Sequence, residues 1–241
     1  ETNHDLNLTF RYQWCSSNKY GFVRKSWIVN NSEDSLDISL IDGLQNILPA
    51  SVGADVQNAS SNLVDAYKRS ELEEKSGLGL FALSAIIVDK AEPSEALKAN
   101  VVWSYGLQNP THLLSTLQLS KFREGLDVHE ETDVKAEKGA YFIKSTLTLP
   151  AGSEEDWTII ADVNKDHPAI ADLIHTINNN DKIESEILAD INNGTKRLIQ
   201  LNASSDGLQL SADKFRDARH FSNSLFNIMR GGVFDNNYQI E

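Results

Sequence analysis

The chain has 241 residues, with 35 acidic against 22 basic side chains and a formal net charge of −13 at pH 7. That length fits one large domain or one domain with an appendage, and the acidic balance argues against a nucleic-acid binder and against adsorption to anionic membranes. A single cysteine, Cys15, excludes an internal disulfide and a cysteine-based zinc site, and no apolar run approaches the ~20 residues of a membrane span.

Glu1 opens without a charged-then-apolar signal segment, and Asn236 to Glu241 carry no tail-like composition. The expectation is a piece of a longer chain, the alternative a mature protein after processing. Leu6, Leu8, Phe10, Tyr12 and Trp14 alternate with polar residues, the period of a half-buried strand. Over residues 22–30, Val23, Trp27 and Val29 share a predicted apolar face, interrupted by Lys25. Asn30 to Asp34 is a turn by composition. Leu36, Ile38 and Leu40 then alternate again, predicting a hairpin whose strand ends at Asp42-Gly43. Residues 50–75 stay open: Asp55 to Leu72 has helical propensity, yet Leu63, Asp65, Tyr67 and Arg69 equally fit a strand.

Gly79 to Val88 is almost wholly apolar and suits a strand buried on both faces. Leu97, Ala99, Val101, Trp103 and Tyr105 alternate, and residues 112–119, 141–149 and 157–163 read as further strands. Asn109-Pro110 and Pro150-Ala151-Gly152 punctuate them. Eight or more strands without interleaved helices predict a mainly β fold, an antiparallel sandwich in place of a Rossmann sheet.

Near Lys165 the period changes. Asp166 is placed to cap a helix with Pro168 in its first turn, and Ile170, Leu173, Ile174 and Ile177 follow at helical spacing. A second helical stretch runs from Ile183 to Ile199, with Asn193-Gly194 as a candidate bend or break. Ser211 is read as the cap of a third helix, whose Phe215, Leu225, Phe226 and Met229 are expected to pack against protein. Gly231-Gly232 stops it. The expected division is a β domain over 1–165 and a helical part over 166–241.

Several patterns imitate known chemistry. Gly77-Leu78-Gly79-Leu80-Phe81-Ala82 matches a dinucleotide loop, but a β-like run follows where a helix is needed, so a turn into a core strand is the better reading. Asp162-Val163-Asn164-Lys165-Asp166 opens like an EF-hand loop, but His167 and Leu173 stand where its Gly and Glu belong. Asp127, His129, Glu131 and Asp133 would share one face of an extended strand and could hold a hard cation; the bland reading is a solvated acidic loop. Asp42, Asp65, Asp89, Glu92 and Glu95 are candidate cleft acids, each also explained as a turn or surface acid. Trp14, Trp27, Trp103 and Trp157 are candidate sugar platforms, with core packing favoured for Trp14, Trp27 and Trp103. Glycosylation sequons stand at Asn7, Asn30, Asn58, Asn193 and Asn202.

The stretch Phe22-Val23-Arg24-Lys25-Ser26-Trp27-Ile28-Val29-Asn30-Asn31-Ser32 resembles part of the N-terminal β-domain of cellobiose-phosphorylase-like enzymes. Asp42-Gly43-Leu44-Gln45-Asn46-Ile47-Leu48-Pro49 and Leu225-Phe226-Asn227-Ile228-Met229-Arg230-Gly231-Gly232 are similar to segments of large bacterial relatives of those enzymes. The resemblance implies a β-supersandwich, galactose-mutarotase-like in fold, followed by linker helices that lead toward an (α/α)6 catalytic barrel lying outside this chain. It implies a non-catalytic role in a glycoside phosphorylase or hydrolase, shaping the active-site entrance, with the missing barrel as partner in cis, an oligosaccharide as the parent's substrate, and homodimerisation as a further role. Because the family's acid and phosphate-binding residues belong to the barrel, it assigns no catalytic residue, metal or cofactor here. Arg230, Tyr238 and Gln239, at the edge where the barrel would begin, are the expected substrate-side residues. Two alternatives stay open: an autonomous mutarotase-like enzyme, with His4, His112, His129, His167, His175 or His220 as its acid beside a carboxylate base, and a free-standing carbohydrate-binding module. The compartment, cytoplasmic or periplasmic, is left open.

Overall fold

A computed structural model describes residues 1–85 and 96–231. In chain order the elements are β1 (Thr2–Asn3), β2 (Leu8–Ser17), β3 (Gly21–Asn30), β4 (Leu36–Ile47), α1 (Ala54–Ala59), α2 (Ser61–Tyr67), β5 (Lys68–Glu73), β6 (Leu78–Leu83), β7 (Lys98–Tyr105) and β8 (Thr111–Leu113). There follow α3 (Leu119–Arg123), β9 (Asp133–Lys135), β10 (Gly139–Leu149), β11 (Glu154–Asp166), α4 (His167–Asn179), α5 (Ile183–Ser204) and α6 (Lys214–Gly231). The chain divides into two compact units, Glu1–Ser16 with Tyr20–Ile183, and Ser17–Lys19 with Glu184–Glu241. Strand gives way to helix at Asp166, where the hydrophobic period changes, but α4 stays with the β unit.

The first unit is mainly antiparallel β. One sheet has eight strands in the order β1-β2-β3-β11-β7-β6-β5-β9, and the other has three, β4-β10-β8. The pairs β3–β11, β11–β7, β7–β6, β6–β5 and β5–β9 run antiparallel, as do β4–β10 and β10–β8. Ile28, Phe81, Val102, Trp157 and Ile159 of the large sheet and Tyr141, Ile143 and Leu149 of the small one form a shared buried cluster, so the two sheets face each other as in a sandwich. On the other face of the large sheet Val23, Val101, Trp103 and Ile160 are buried too. That explains the near-continuous apolar runs of β6 and β7.

Alternation misleads on β3. Val23 is buried as expected, but Trp27 and Val29 are only partly so, while Arg24, Ser26, Ile28 and Asn30 face the core. Their polar atoms are matched there. The Asn30 side-chain amide donates to the carbonyls of Asp34, Leu149 and Pro150 at 2.8, 3.0 and 3.1 Å. Asn30 and Asn202 are fully buried, so these two sequons are closed to modification, whereas Asn7, Asn58 and Asn193 are exposed. The open stretch 50–75 resolves into both readings in succession, two short helices and then β5. Of the expected 112–119 strand only β8 forms, because α3 follows.

Asp166 caps α4 by accepting from the Ala169 amide at 3.0 Å, with Pro168 in the first turn. In the second unit α5 is unbroken through Asn193-Gly194. At the start of α6 the cap read for Ser211 belongs to Asp213, whose Oδ1 accepts from the Phe215 and Arg216 amides, both at 3.1 Å. Buried Asn202 ties α5 to α6, donating to the Phe221 carbonyl at 3.1 Å. Gly207 makes this turn possible, since a Cβ there would sit 2.3 Å from Asn202 Oδ1. This anchoring turns the Phe221–Leu225–Ile228 side of α6 inward. Contrary to expectation, Phe215, Phe226 and Met229 lie exposed, Phe215 to 84%.

Candidate functional site

Between the sheets lies a buried ionic cluster. Arg24 Nη1 on β3 donates to both Asp42 oxygens on β4, at 2.8 and 2.7 Å. The Trp157 indole on β11 donates to Asp42 Oδ2 at 2.7 Å, and the Ser26 hydroxyl does so at 3.3 Å. The guanidinium also stacks 4.9 Å above the Tyr12 ring and 5.9 Å from that of Phe10. Asp42, a candidate cleft acid from sequence, is thus saturated with donors. It crosslinks the sheets and has no free oxygen for acid–base work.

The acidic stretch after α3 does not form the single carboxylate face expected for a cation site. Glu131 turns inward and accepts from the Leu114 amide, the Ser115 hydroxyl and the Gln118 amide at 2.8, 3.1 and 2.8 Å. Asp133 instead pairs with Arg69 Nε at 3.0 Å, which holds its carboxyl below the usual range. No group of three or more His, Cys, Asp or Glu side chains able to hold a metal occurs among the described residues. Glu130 meets the buried His112, Oε2 to Nδ1, at 3.1 Å, and Gly77 closes over the other ring nitrogen, where a Cβ would sit 2.8 Å from Nε2. Beside it Tyr141 donates to the Gly77 carbonyl at 2.7 Å, and burial pushes its phenol well above the ordinary value. Gly77 is thus a hairpin residue with φ 66° between β5 and β6, and no helix follows to carry a dinucleotide.

An open polar pocket of about 410 Å³ lies where α1 and α2 meet the ends of β4 and β5. It is lined by Asn46, Ile47, Leu48, Gln57, Asn58, Ser61, Asn62, Asp65, Lys68 and Lys138. The β4–β10 register shifts between Gly139 and Ala140, and Asn46 beside it takes φ 56°, a bulge geometry that re-aims a side chain. Lys68 is only 4% exposed, and its Nζ donates to Asp65 Oδ1 at 2.7 Å. That hydrogen bond holds the Asp65 carboxyl below its ordinary value against the opposing effect of burial. Gln57 Nε2 donates to the same oxygen at 3.3 Å, while Gln57 Oε1 is buried without a partner among the described residues.

Of the sequence candidates, Asp65 lines this pocket, and His167 lines a second one of about 430 Å³ beside Arg69, Glu71 and Lys98. Asp89, Glu92, Glu95, Tyr238 and Gln239 lie outside the described residues. Arg230 is on α6, stacked 5.7 Å from the Phe226 ring. Trp103 and Trp157 are core residues, but Trp14 is 50% exposed, against the expectation of core packing. It continues a row on β2 from Phe10, which stacks on Trp157 at 6.1 Å, through Tyr12, 58% exposed. Phe22, 55% exposed, stands on the Arg24 face of β3. Sequence reasoning missed Gln57, Asn58, Asn62 and Lys68. The amide-dense run Gln57-Asn58-Ala59-Ser60-Ser61-Asn62 was the signal available.

Compared with known proteins, the chain matches no protein-family model and no curated protein. Among the described residues no helix is long and apolar enough to cross a membrane.

Proposed function

We propose that the chain is the non-catalytic β-supersandwich and linker-helix region of a larger carbohydrate-active enzyme, a glycoside phosphorylase or hydrolase, in which it shapes the active-site entrance. The observation that carries this reading is the row Tyr12, Trp14 and Phe22. Three aromatic side chains, each at least half exposed, stand on neighbouring strands of the large sheet. Aromatic residues left open together on a sheet mark a surface made for contact. The stripe Phe215, Phe226 and Met229 on α6 is a second such surface, suited to the catalytic domain or to a second copy of the chain. The sequence stretch that resembles the phosphorylase-like β-domain contains Phe22 and Arg24, which belong to this same face. Two of the acids that face inward, Asp42 and Glu131, are consumed by internal hydrogen bonds, which fits a supporting role.

The test is to express this chain and the full product of its reading frame, and to assay both for release of glucose or glucose 1-phosphate from β-glucosides with and without inorganic phosphate. Activity confined to the longer product is expected. Sugar release by the chain alone that a point substitution within it abolishes would overturn the reading, as would a reading frame that ends at Glu241.

A further inference from the structure

We propose that the pocket between α1, α2 and the ends of β4 and β5 is a subsite for a neutral oligosaccharide, held by Asn46, Gln57, Asn58 and Asn62 around the Asp65–Lys68 pair. The chemistry of the lining selects the ligand class. Each amide offers a donor and an acceptor side by side, the pattern that pairs with neighbouring hydroxyls of a sugar ring. Four amides on one pocket of about 410 Å³ supply several such pairs. An anion is disfavoured because the ionised Asp65 neutralises Lys68 at 2.7 Å and would face the ligand, leaving the exposed Lys138 as the other cation of the lining. A cation is disfavoured by those same two lysines. An apolar ligand would find Ile47 and Leu48 and little else.

Two features of the lining support a binding role. Gln57 spends its nitrogen on Asp65 and leaves its oxygen buried without a partner, an arrangement that costs stability unless something else compensates. The chain also holds Asn46, a lining residue, at φ 56° beside a register shift. The described lining residues include no aromatic platform, so binding is weak for a single sugar and gains from a chain that continues beyond the pocket. The choice of a sugar among polyols rests on the proposed function; the ligand's neutrality and hydroxyl pattern rest on the pocket alone.

Titration of the ¹⁵N-labelled chain with cellobiose and with maltotriose, followed by side-chain amide resonances, tests the inference. Saturable shifts of the Asn46, Asn58 and Asn62 amides are expected with at least one sugar. The double variant Asn58→Ala/Asn62→Ala, both at exposed positions, should weaken that binding about tenfold or more with circular dichroism unchanged. Asn46→Gly, which tolerates the left-handed backbone, is a second variant and should weaken it as well. No saturable shift with either sugar, binding insensitive to both variants, or inorganic phosphate displacing the sugar would each overturn the proposal. Failure here with activity retained by the full reading-frame product removes the subsite and leaves the proposed function. Sugar binding with catalysis by the chain alone does the reverse.

Discussion

Arg24 and Lys68 are both buried cations paired with an aspartate, and the difference between them separates structure from site. Around Arg24 every oxygen of the partner is used: Asp42 takes the guanidinium, an indole and a hydroxyl, and two aromatic rings cover the cation. Around Lys68 the partner is half satisfied. Asp65 receives the ammonium and one long amide contact, a neighbouring oxygen is orphaned, and a pocket adjoins. A saturated network holds two sheets in one register. An unsaturated one beside open space has bonding capacity to offer a ligand.

The largest effect should come from breaking the saturated cluster. Asp42→Ala leaves Arg24 buried without its counter-charge and strips the Trp157 indole of its acceptor, which should cost about 3–5 kcal/mol in urea unfolding of the first unit. The double change Arg24→Met/Asp42→Leu should cost less than the single one, because no charge is then left unpaired. If Asp42→Ala costs under about 1 kcal/mol, the cluster is not what holds the sheets together.

A smaller loss is expected at the second pair. Asp65→Ala leaves Lys68 unpaired, but the ammonium adjoins a pocket that admits water, so the cost should be about 1–3 kcal/mol. The same pair predicts a pH dependence. The Lys68 ammonium lowers the Asp65 pKa on folding, so the folded chain binds that proton less readily than the unfolded one. The resulting stability is present above the unfolded carboxylate value, about 4, and is lost as pH falls through the folded value. Asp133, Asp190 and Asp217 are lowered too, so the whole chain loses stability in this window. The gap between the parent chain and Asp65→Asn should therefore narrow below about pH 4, and a gap that widens there would reverse the sign assigned to the pair.

Local pattern revealed most of the long strands, the change to helix at Asp166 and the capping of α4, because each depends on neighbours a few residues away. It failed on β3. Counting apolar residues puts Val23, Trp27 and Val29 inside, whereas Arg24, Ser26 and Asn30 are buried because Asp42, Leu149 and Pro150 receive them, and Leu149 is 119 residues from Asn30. No period reports such a partner. Trp14 fails in the opposite sense. Its alternation with polar residues is real, but what covers a strand face is a property of the opposing sheet. The pocket shows both limits: Asp65 was visible as a candidate, while Lys68 and the bulge at Asn46 become meaningful only once β4, β5 and β10 are assembled.

The smallest expected effect is the most discriminating. Gln57→Leu removes one amide contact of 3.3 Å to Asp65 together with the orphaned oxygen. The first loss costs about 1 kcal/mol at most, and relief of a buried unsatisfied acceptor returns a comparable amount, so the net change should fall within about 0.5 kcal/mol of zero. The counterpart in the saturated cluster, Trp157→Phe, removes a matched donor and should cost at least about 1 kcal/mol. If Gln57 is there for the fold, Gln57→Leu should destabilise the chain as Trp157→Phe does, and the contrast between the two clusters disappears. If it is there for a ligand, the variant keeps the melting temperature of the parent chain and loses sugar binding, a separation of stability from binding that a purely structural glutamine would not produce.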